Sequence, residues 1–273
     1  FGSASSSLAE GTKYFKYMRN KFHFVFDNTL KSKKYKKIIL KYYKSYPLKS
    51  SNTILVAGGD GFMLKTIKKY QKFNIPFYGV NCGLVGFLMN KYVTKNLLNK
   101  IKKSKIITVN PLDIKIKNIN SKTKSFLAIN ELSILRQSKQ TSFLSLKIGK
   151  KNLIKKLIGD GILVSTPAGS TAYNLSINGP ILSLDSKKLA VTPISPFRPR
   201  RWKGKIISDN QTVLINNLEP KKRPISAVAD NNEIRNVNNV KIKVNKKIKF
   251  KILFNTKDSL TKKIKLEQRK KIR

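Results

Sequence analysis

The hydrophobic period of this chain changes once, near residue 105, and nothing else in the sequence constrains the fold as strongly. Upstream, short apolar runs alternate with segments whose apolar residues recur every three or four positions. Phe22–Phe26 reads as a strand. In 31–46, Tyr35, Ile38, Ile39, Tyr42 and Tyr43 share one helical face, and Pro47 stops the helix. Residues 53–57 and 76–80 read as strands, and 62–70 and 92–103 as helices. Such alternation builds βαβ units and a parallel sheet. Downstream the period falls to two. Ile114 and Ile116 alternate with polar residues, and Leu127 and Ile129 do so in part. Strand-like pieces follow at 133–135, 143–148, 152–158, 161–165, 211–215, 225–229 and 240–253, interrupted by one helical stretch that starts near Ser170. The pattern predicts an α/β domain over 21–106 and an all-β, sandwich-like domain over 107–255. Residues 1–20 begin small and polar and predict a poorly ordered extension. They lack the apolar core of a secretory signal, so the expected compartment is the cytoplasm. Residues 256–273 predict a basic tail able to form a helix.

Composition removes several classes of function. Hydrophobic residues make up 40% of the chain, too many for a disordered polycation. No apolar run approaches the roughly 18 residues of a membrane span. The single cysteine, Cys82, excludes an internal disulfide framework and a multi-cysteine zinc site, and the single histidine, His23, leaves little room for a His-based metal site or triad. Lys+Arg is 58 against 13 for Asp+Glu, a net charge of +45. That charge invites a nucleic-acid reading. Lys dominates it, however, whereas phosphate and base readout favours Arg. Asn often stands beside Lys, as in Asn20-Lys21, Asn90-Lys91 and Asn99-Lys100, which reads as compositional drift over a solvated surface. The Arg-dense, Pro-rich stretch 193–202 reads either as a rigid surface loop or as a grip for an anionic group.

With so few acids, those in glycine-rich turns stand out. Gly58-Gly59-Asp60-Gly61 lies where a strand passes into a helix. Glycines there let the backbone approach a ligand, and the exposed N–H groups of a helix start favour phosphate. A carboxylate in such a loop repels phosphate unless it has a task, such as accepting a hydroxyl proton or holding Mg²⁺. The alternative is an ordinary tight turn with a capping Asp. The loop is neither a P-loop nor a dinucleotide fingerprint, whose third glycine position is Leu64 here. The second cluster opens with Gly159-Asp160-Gly161 and continues through Ser165, Thr166, Gly169, Ser170, Thr171, Ala172, Tyr173, Asn174 and Ser176. It is either a dense patch of donors for a polar ligand, with Tyr173 to stack on a base, or a capped helix start. With no His nearby and no Gly-x-Ser-x-Gly, Ser170 is not read as a hydrolase nucleophile. Asn130-Glu131 interrupts an apolar run and marks either a strand end or a site.

In this order, Gly58–Gly61, Gly79-Val80-Asn81-Cys82-Gly83-Leu84-Val85-Gly86-Phe87-Leu88, Asn130-Glu131 and Asp160 through Gly179-Pro180 closely resemble the NAD kinase family, over about residues 21–254. The resemblance implies a Rossmann-like first domain, a β-sandwich second domain and a homodimer or homotetramer. It implies phosphorylation of the 2′-hydroxyl of the adenosine ribose of NAD by ATP, giving NADP, with a divalent ion such as Mg²⁺. It gives Asp60 the role of proton acceptor, with Gly61 beside it. Asn130 and Glu131 match a dinucleotide-contacting pair, and Asp160 an acid that reaches the nicotinamide side, often from a neighbouring subunit. Thr171, Ala172, Tyr173, Asn174 and Ser176 match the adenine-site segment, and Asn232 a polar contact near the C-terminal strands. No metal ligand is assigned. The chain departs from the family pattern at Phe62, where many members have Thr, at Ile158, where several have a basic residue, and at Asp230-Asn231 in place of Asp-Gly. Two other readings stand: a diacylglycerol-type lipid kinase, which shares the Gly-Gly-Asp-Gly loop, and a basic nucleic-acid-binding protein.

Overall fold

The computed structural model of this protein describes residues 20–84, 86–255 and Lys263. The expected extension at 1–20 and tail at 256–273 lie outside the described residues, Asn20 and Lys263 apart. The chain divides into two compact units, one made of 1–108 with 249–273 and the other of 109–248.

The first unit runs β1 (Phe22–Phe26), α1 (Leu30–Ile39), β2 (Thr53–Gly58), α2 (Asp60–Tyr70), β3 (Phe77–Asn81), α3 (Leu97–Lys102) and β4 (Lys105–Val109). α1 and α3 are shorter than the periodicity predicts, whereas α2 starts two residues earlier, at Asp60. Thr29 caps α1 through its hydroxyl, 3.3 Å from the Ser32 N–H. The helix then stops at Leu40 instead of running to Tyr46, because the chain is drawn back beside β1. There the Tyr46 N–H donates to the Phe22 carbonyl at 2.8 Å, and the His23 ring meets the Tyr46 carbonyl at 3.0 Å. Every residue of β2 is buried, and β1–β2 and β2–β3 pair in parallel, as the strand–helix alternation requires.

In the second unit the strands are β5 (Leu112–Asn118), β6 (Thr123–Ala128), β7 (Glu131–Arg136), β8 (Ser142–Ile148), β9 (Lys151–Gly159) and β10 (Gly161–Ser165). A four-residue helix, α4 (Tyr173–Ser176), separates these from β11 (Lys188–Ile194), β12 (Lys205–Ser208), β13 (Val213–Asn217), β14 (Ile225–Ala229), β15 (Asn232–Ile234) and β16 (Val237–Val244). They form two six-stranded sheets, β12-β11-β10-β7-β14-β15 and β6-β5-β16-β13-β8-β9. Alternate residues of β5 and β8 are buried, and side chains from both sheets, including Leu112, Ile114, Leu146, Ile215 and Ile242 with Ile134, Val164 and Val191, share one core. The α/β and all-β parts are thus both present as the fold class predicts.

One strand falls on the other side of the division from its sequence assignment. The apolar/Lys alternation of 240–253 reads as one run within the β-domain, but the chain breaks after β16. Asn245 folds its carboxamide back onto the Lys247 and Ile248 N–H groups, and Asn110 donates to the carbonyls of Asn245 and Ile248. The chain then enters β17 (Phe250–Phe254), which joins the first unit's sheet in the order β1-β2-β3-β17-β4. The stretch 193–202 finishes β11 and from Ser195 is a loop pinned by backbone bonds from Phe197 and Arg198 to the Ile158 carbonyl, with the Arg198 guanidinium over the Phe197 ring.

Candidate active site

Each unit gathers its own part of the predicted machinery. In the first, β2 ends at Gly58, Gly59 precedes the helix, and Asp60 is the first residue of α2. The Asp60 carboxylate accepts two main-chain hydrogen bonds from one loop: Phe87 N–H to Oδ2 at 2.7 Å and Leu88 N–H to Oδ1 at 2.8 Å. Burial raises its pKa, and the Leu88 and Phe87 bonds and then the Lys263 charge restrain the rise. The loop that supplies these amides leaves β3 at Asn81 and returns at Asn90. Asn90 is fully buried, donates to the carbonyls of Gly79 and Leu253, and accepts from the Asn255 N–H at 2.8 Å. Gly86 sits at φ +78°, and a Cβ there would fall 2.7 Å from the Asn81 side chain, so glycine is required. Gly61 faces open space: a Cβ placed on it would have nothing within 4 Å.

In the second unit Asn130 lies in the bend between β6 and β7, and Glu131 begins β7, so the pair is a strand end. It is also chemically unfinished. Asn130 Oδ1 and Glu131 Oε2 are buried and have no hydrogen-bond partner among the described residues. The backbone beneath them is held by Asp230, whose carboxylate accepts from the N–H groups of Ile129 and Asn130 at 2.9 Å and Glu131 at 3.4 Å. Burial first, and the nearby Asp230 charge second, push the Glu131 carboxyl up to about 8. Gly169 packs so tightly on this bend that a Cβ would lie 2.3 Å from the Asn130 carbonyl oxygen.

Known proteins resemble the chain over most of its length. The chain is 43% identical over 251 residues to an NAD kinase of Zymomonas mobilis, covering 91% of this chain and 97% of that one. It belongs to the NAD kinase family. An NAD kinase of Rickettsia felis is 44% identical over 230 residues, covering 84% of this chain and 90% of its own length. A family model described as ATP-NAD kinase C-terminal domain matches residues 129–261. Among solved structures, yeast NADH kinase complexed with NADH superposes with a TM-score of 0.69 at 18% identity, over 98% of this chain and 84% of that one. An Archaeoglobus fulgidus NAD kinase in complex with ATP gives 0.68 at 21%, over 91% and 99%. These two show a shared fold.

The other residues that the NAD kinase resemblance points to are dispersed around the second unit's cluster. Asp160 joins β9 to β10 and pairs with Arg136 Nε at 2.6 Å, both side chains about one-third exposed. Arg136 carries no sequence motif. It is a basic partner brought to Asp160 from β7, in a chain whose Ile158 lacks the basic side chain several NAD kinases carry. Thr171 is buried, Ala172 and Tyr173 are half-buried, and Ser176 is exposed. Asn174 has a structural task. Its amide nitrogen donates to the carbonyls of Ser170 at 3.2 Å and Pro180 at 2.9 Å, and its oxygen accepts from Thr192 Oγ1 at 2.7 Å. Fully buried, with both amide hydrogens and one oxygen lone pair engaged, it braces the segment. Asn232 is exposed in β15, opposite Ala229, and the residue of that hairpin that reaches the Asn130–Glu131 backbone is Asp230. Lys263 and Asn90 also escape a reading of the sequence, since neither sits in a recognisable pattern.

Proposed function

We propose that this chain transfers the γ-phosphoryl group of ATP to the 2′-hydroxyl of the adenosine ribose of NAD, giving NADP, with Asp60 accepting the hydroxyl proton. The 43% identity across nearly the whole of an NAD kinase carries the activity. The setting of Asp60 supports its role. A ribose hydroxyl is a weak nucleophile until its proton has somewhere to go. As the new O–P bond forms, that proton passes to the Asp60 carboxylate, the bond from the γ-phosphorus to its bridging oxygen breaks, and ADP leaves. Burial makes Asp60 a stronger base than a solvated carboxylate, and two amides fix where its oxygens point. Phosphoryl transfer otherwise asks the protein for alignment and charge neutralisation. Gly61, open on its outer side, lets phosphate approach the start of α2.

The second unit supplies the dinucleotide contacts. The unpaired oxygens of Asn130 and Glu131 meet ligand hydrogen-bond donors, and Glu131, neutral at pH 7, donates as well. Asp160 with Arg136 serves the nicotinamide end, and Thr171, Ala172 and the Tyr173 ring serve adenine, with Ser176 and Asn232 at the rim. No cluster of three or more His, Cys, Asp or Glu gathers among the described residues, and each Asp60 oxygen takes one amide and keeps a lone pair. Mg²⁺ would arrive with ATP, whose phosphate oxygens and water supply most of its ligands. A homodimer or homotetramer belongs to this reading on the family resemblance. None of the described helices is long and apolar enough to cross a membrane. Incubation with NAD, ATP and Mg²⁺ should yield NADP. Asp60→Asn should fold normally and lower turnover by about 10²–10⁴. Near-normal turnover of that variant refutes the role, and phosphorylation of diacylglycerol in place of NAD refutes the substrate.

A further inference from the structure

The loop that holds Asp60 is itself gripped from its other side. Lys263 Nζ donates to the carbonyl oxygens of Gly86 at 3.1 Å, Phe87 at 3.0 Å and Met89, three acceptors for its three donors. The side chain is buried, and its Nζ lies 4.3 Å from the centre of the Phe254 ring. Burying a lysine costs several kcal/mol unless every donor is met. A surface lysine with no task would stay in water, and this chain has water-exposed lysines in abundance. The three carbonyls point their negative ends at one spot, an arrangement that only a cation or a set of donors holds together. The N–H groups of Phe87 and Leu88, in the same four residues, are those that fix the Asp60 carboxylate. One short loop is thus clamped between an ammonium on its carbonyls and a carboxylate on its amides.

We propose that Lys263 is a positioning residue for phosphoryl transfer: by closing the 86–89 loop it sets the place and orientation of the Asp60 carboxylate. The inference rests on Asp60 being the proton acceptor. Lys263 touches no substrate in this reading and acts through the loop. It also supplies the cation whose field bears on Asp60 and favours the ionised, proton-accepting form. The C-terminal chain is thereby tied to the reaction twice in the first unit, at Asn255 against Asn90 and at Lys263 against the 86–89 loop.

The test compares full-length wild type, Lys263→Met, Lys263→Gln, Lys263→Arg and Asp60→Asn by thermal unfolding, by kcat and KM for NAD and ATP, and by the pH profile of kcat. Lys263→Met should lower kcat by about 10–100-fold, the scale of a sub-ångström to 1 Å misplacement, with both KM values changed less than about threefold. The acid limb of its kcat profile should move to higher pH, since a cation that favours the carboxylate has been removed. Lys263→Arg, which keeps the charge, should bring that limb back towards wild type. A merely structural lysine would lower thermal stability and leave the limb where it was. If Lys263→Met does not fold, Lys263→Gln decides by the same two readouts, because its amide still donates to the loop carbonyls without a charge. A folded Met or Gln variant with wild-type kcat, or one whose kcat falls with an unmoved acid limb, overturns the proposal. Failure of the underlying reading looks different: Asp60→Asn would then retain turnover, whatever the Lys263 variants do.

Discussion

Glu131 makes this protein's stability depend on pH in a direction opposite to that of most carboxylates. Burial and the Asp230 charge raise its pKa from 4.5 to about 8. In the folded state it holds a proton at pH 7 that the unfolded chain has released. A raised acid therefore contributes its full share below pH 4.5, and that share is lost as pH climbs towards 8. At about 1.4 kcal/mol per tenfold change in proton affinity, the interval caps the loss at about 5 kcal/mol. Glu131→Gln keeps the shape and the hydrogen-bonding capacity and removes the proton. Its thermal midpoint should match wild type near pH 5 and exceed it near pH 8.5, by several degrees if half of the ceiling is realised, at about 2–4 °C per kcal/mol for a chain of this size. Differential scanning fluorimetry from pH 5 to pH 8.5 reads the difference directly. A Gln-minus-wild-type gap that stays flat with pH, or a variant less stable at pH 8.5, would show that Glu131 is ionised in the folded protein. The same variant should bind NAD more weakly if the carboxyl donates to the dinucleotide, which isothermal titration measures.

Gly61→Ala separates helix building from ligand approach. The position is open, so the added methyl meets no protein atom and thermal stability should hold or rise by up to about 1 kcal/mol, while NADP formation should fall at least tenfold if phosphate passes over this turn. Asn174→Ala leaves Thr192 Oγ1 and the carbonyls of Ser170 and Pro180 without their partner, and should cost about 2–4 kcal/mol in a thermal or urea unfolding measurement, with little change in KM for the protein that remains folded.

What was legible in the sequence follows what each signal depends on. The switch from helical to strand period near residue 105 is set by which residues face a core, and it foretold both halves of the fold. Asp60, Glu131 and Asp160 stand out as candidates because acids are scarce in a chain this basic, and Asn130 because it stands beside Glu131. β17 was not, because its apolar/Lys alternation continues that of β16 without a break, and only the Asn245 side chain, folding onto the Lys247 and Ile248 amides, turns the chain away. The early end of α1 was hidden for a similar reason: Tyr42 and Tyr43 keep the helical spacing, and long-range bonds from 45–46 to β1 override it. Asn174 stood in a row of ligand-like residues, but its neighbours in space, Thr192 and Pro180, claimed its amide. Lys263 is one of 58 basic residues, and nothing local marks it as a lysine that turns inward.

The net charge and the site obey different physics. An exposed pair such as Arg235–Glu233 contributes about 0–1 kcal/mol, so a surface gives up acids cheaply and drifts basic at little cost to the fold. A carboxylate that receives two or three main-chain N–H groups is another matter, because its loss leaves those donors facing no acceptor. Asp60 and Asp230 are both of this kind: Asp60 is a candidate site residue fixed by the 87–88 amides, and Asp230 ties down the backbone that presents Asn130 and Glu131. Lys263 is the same device with the sign reversed, a cation collecting carbonyls. Substituting surface lysines should therefore alter solubility and salt dependence and leave kcat alone, whereas the isosteric change Asp230→Asn should disturb the 129–131 backbone and weaken NAD binding together. On the proposed mechanism, the charge that dominates the composition says nothing of the reaction, and a few buried charges bonded to main chain shape it.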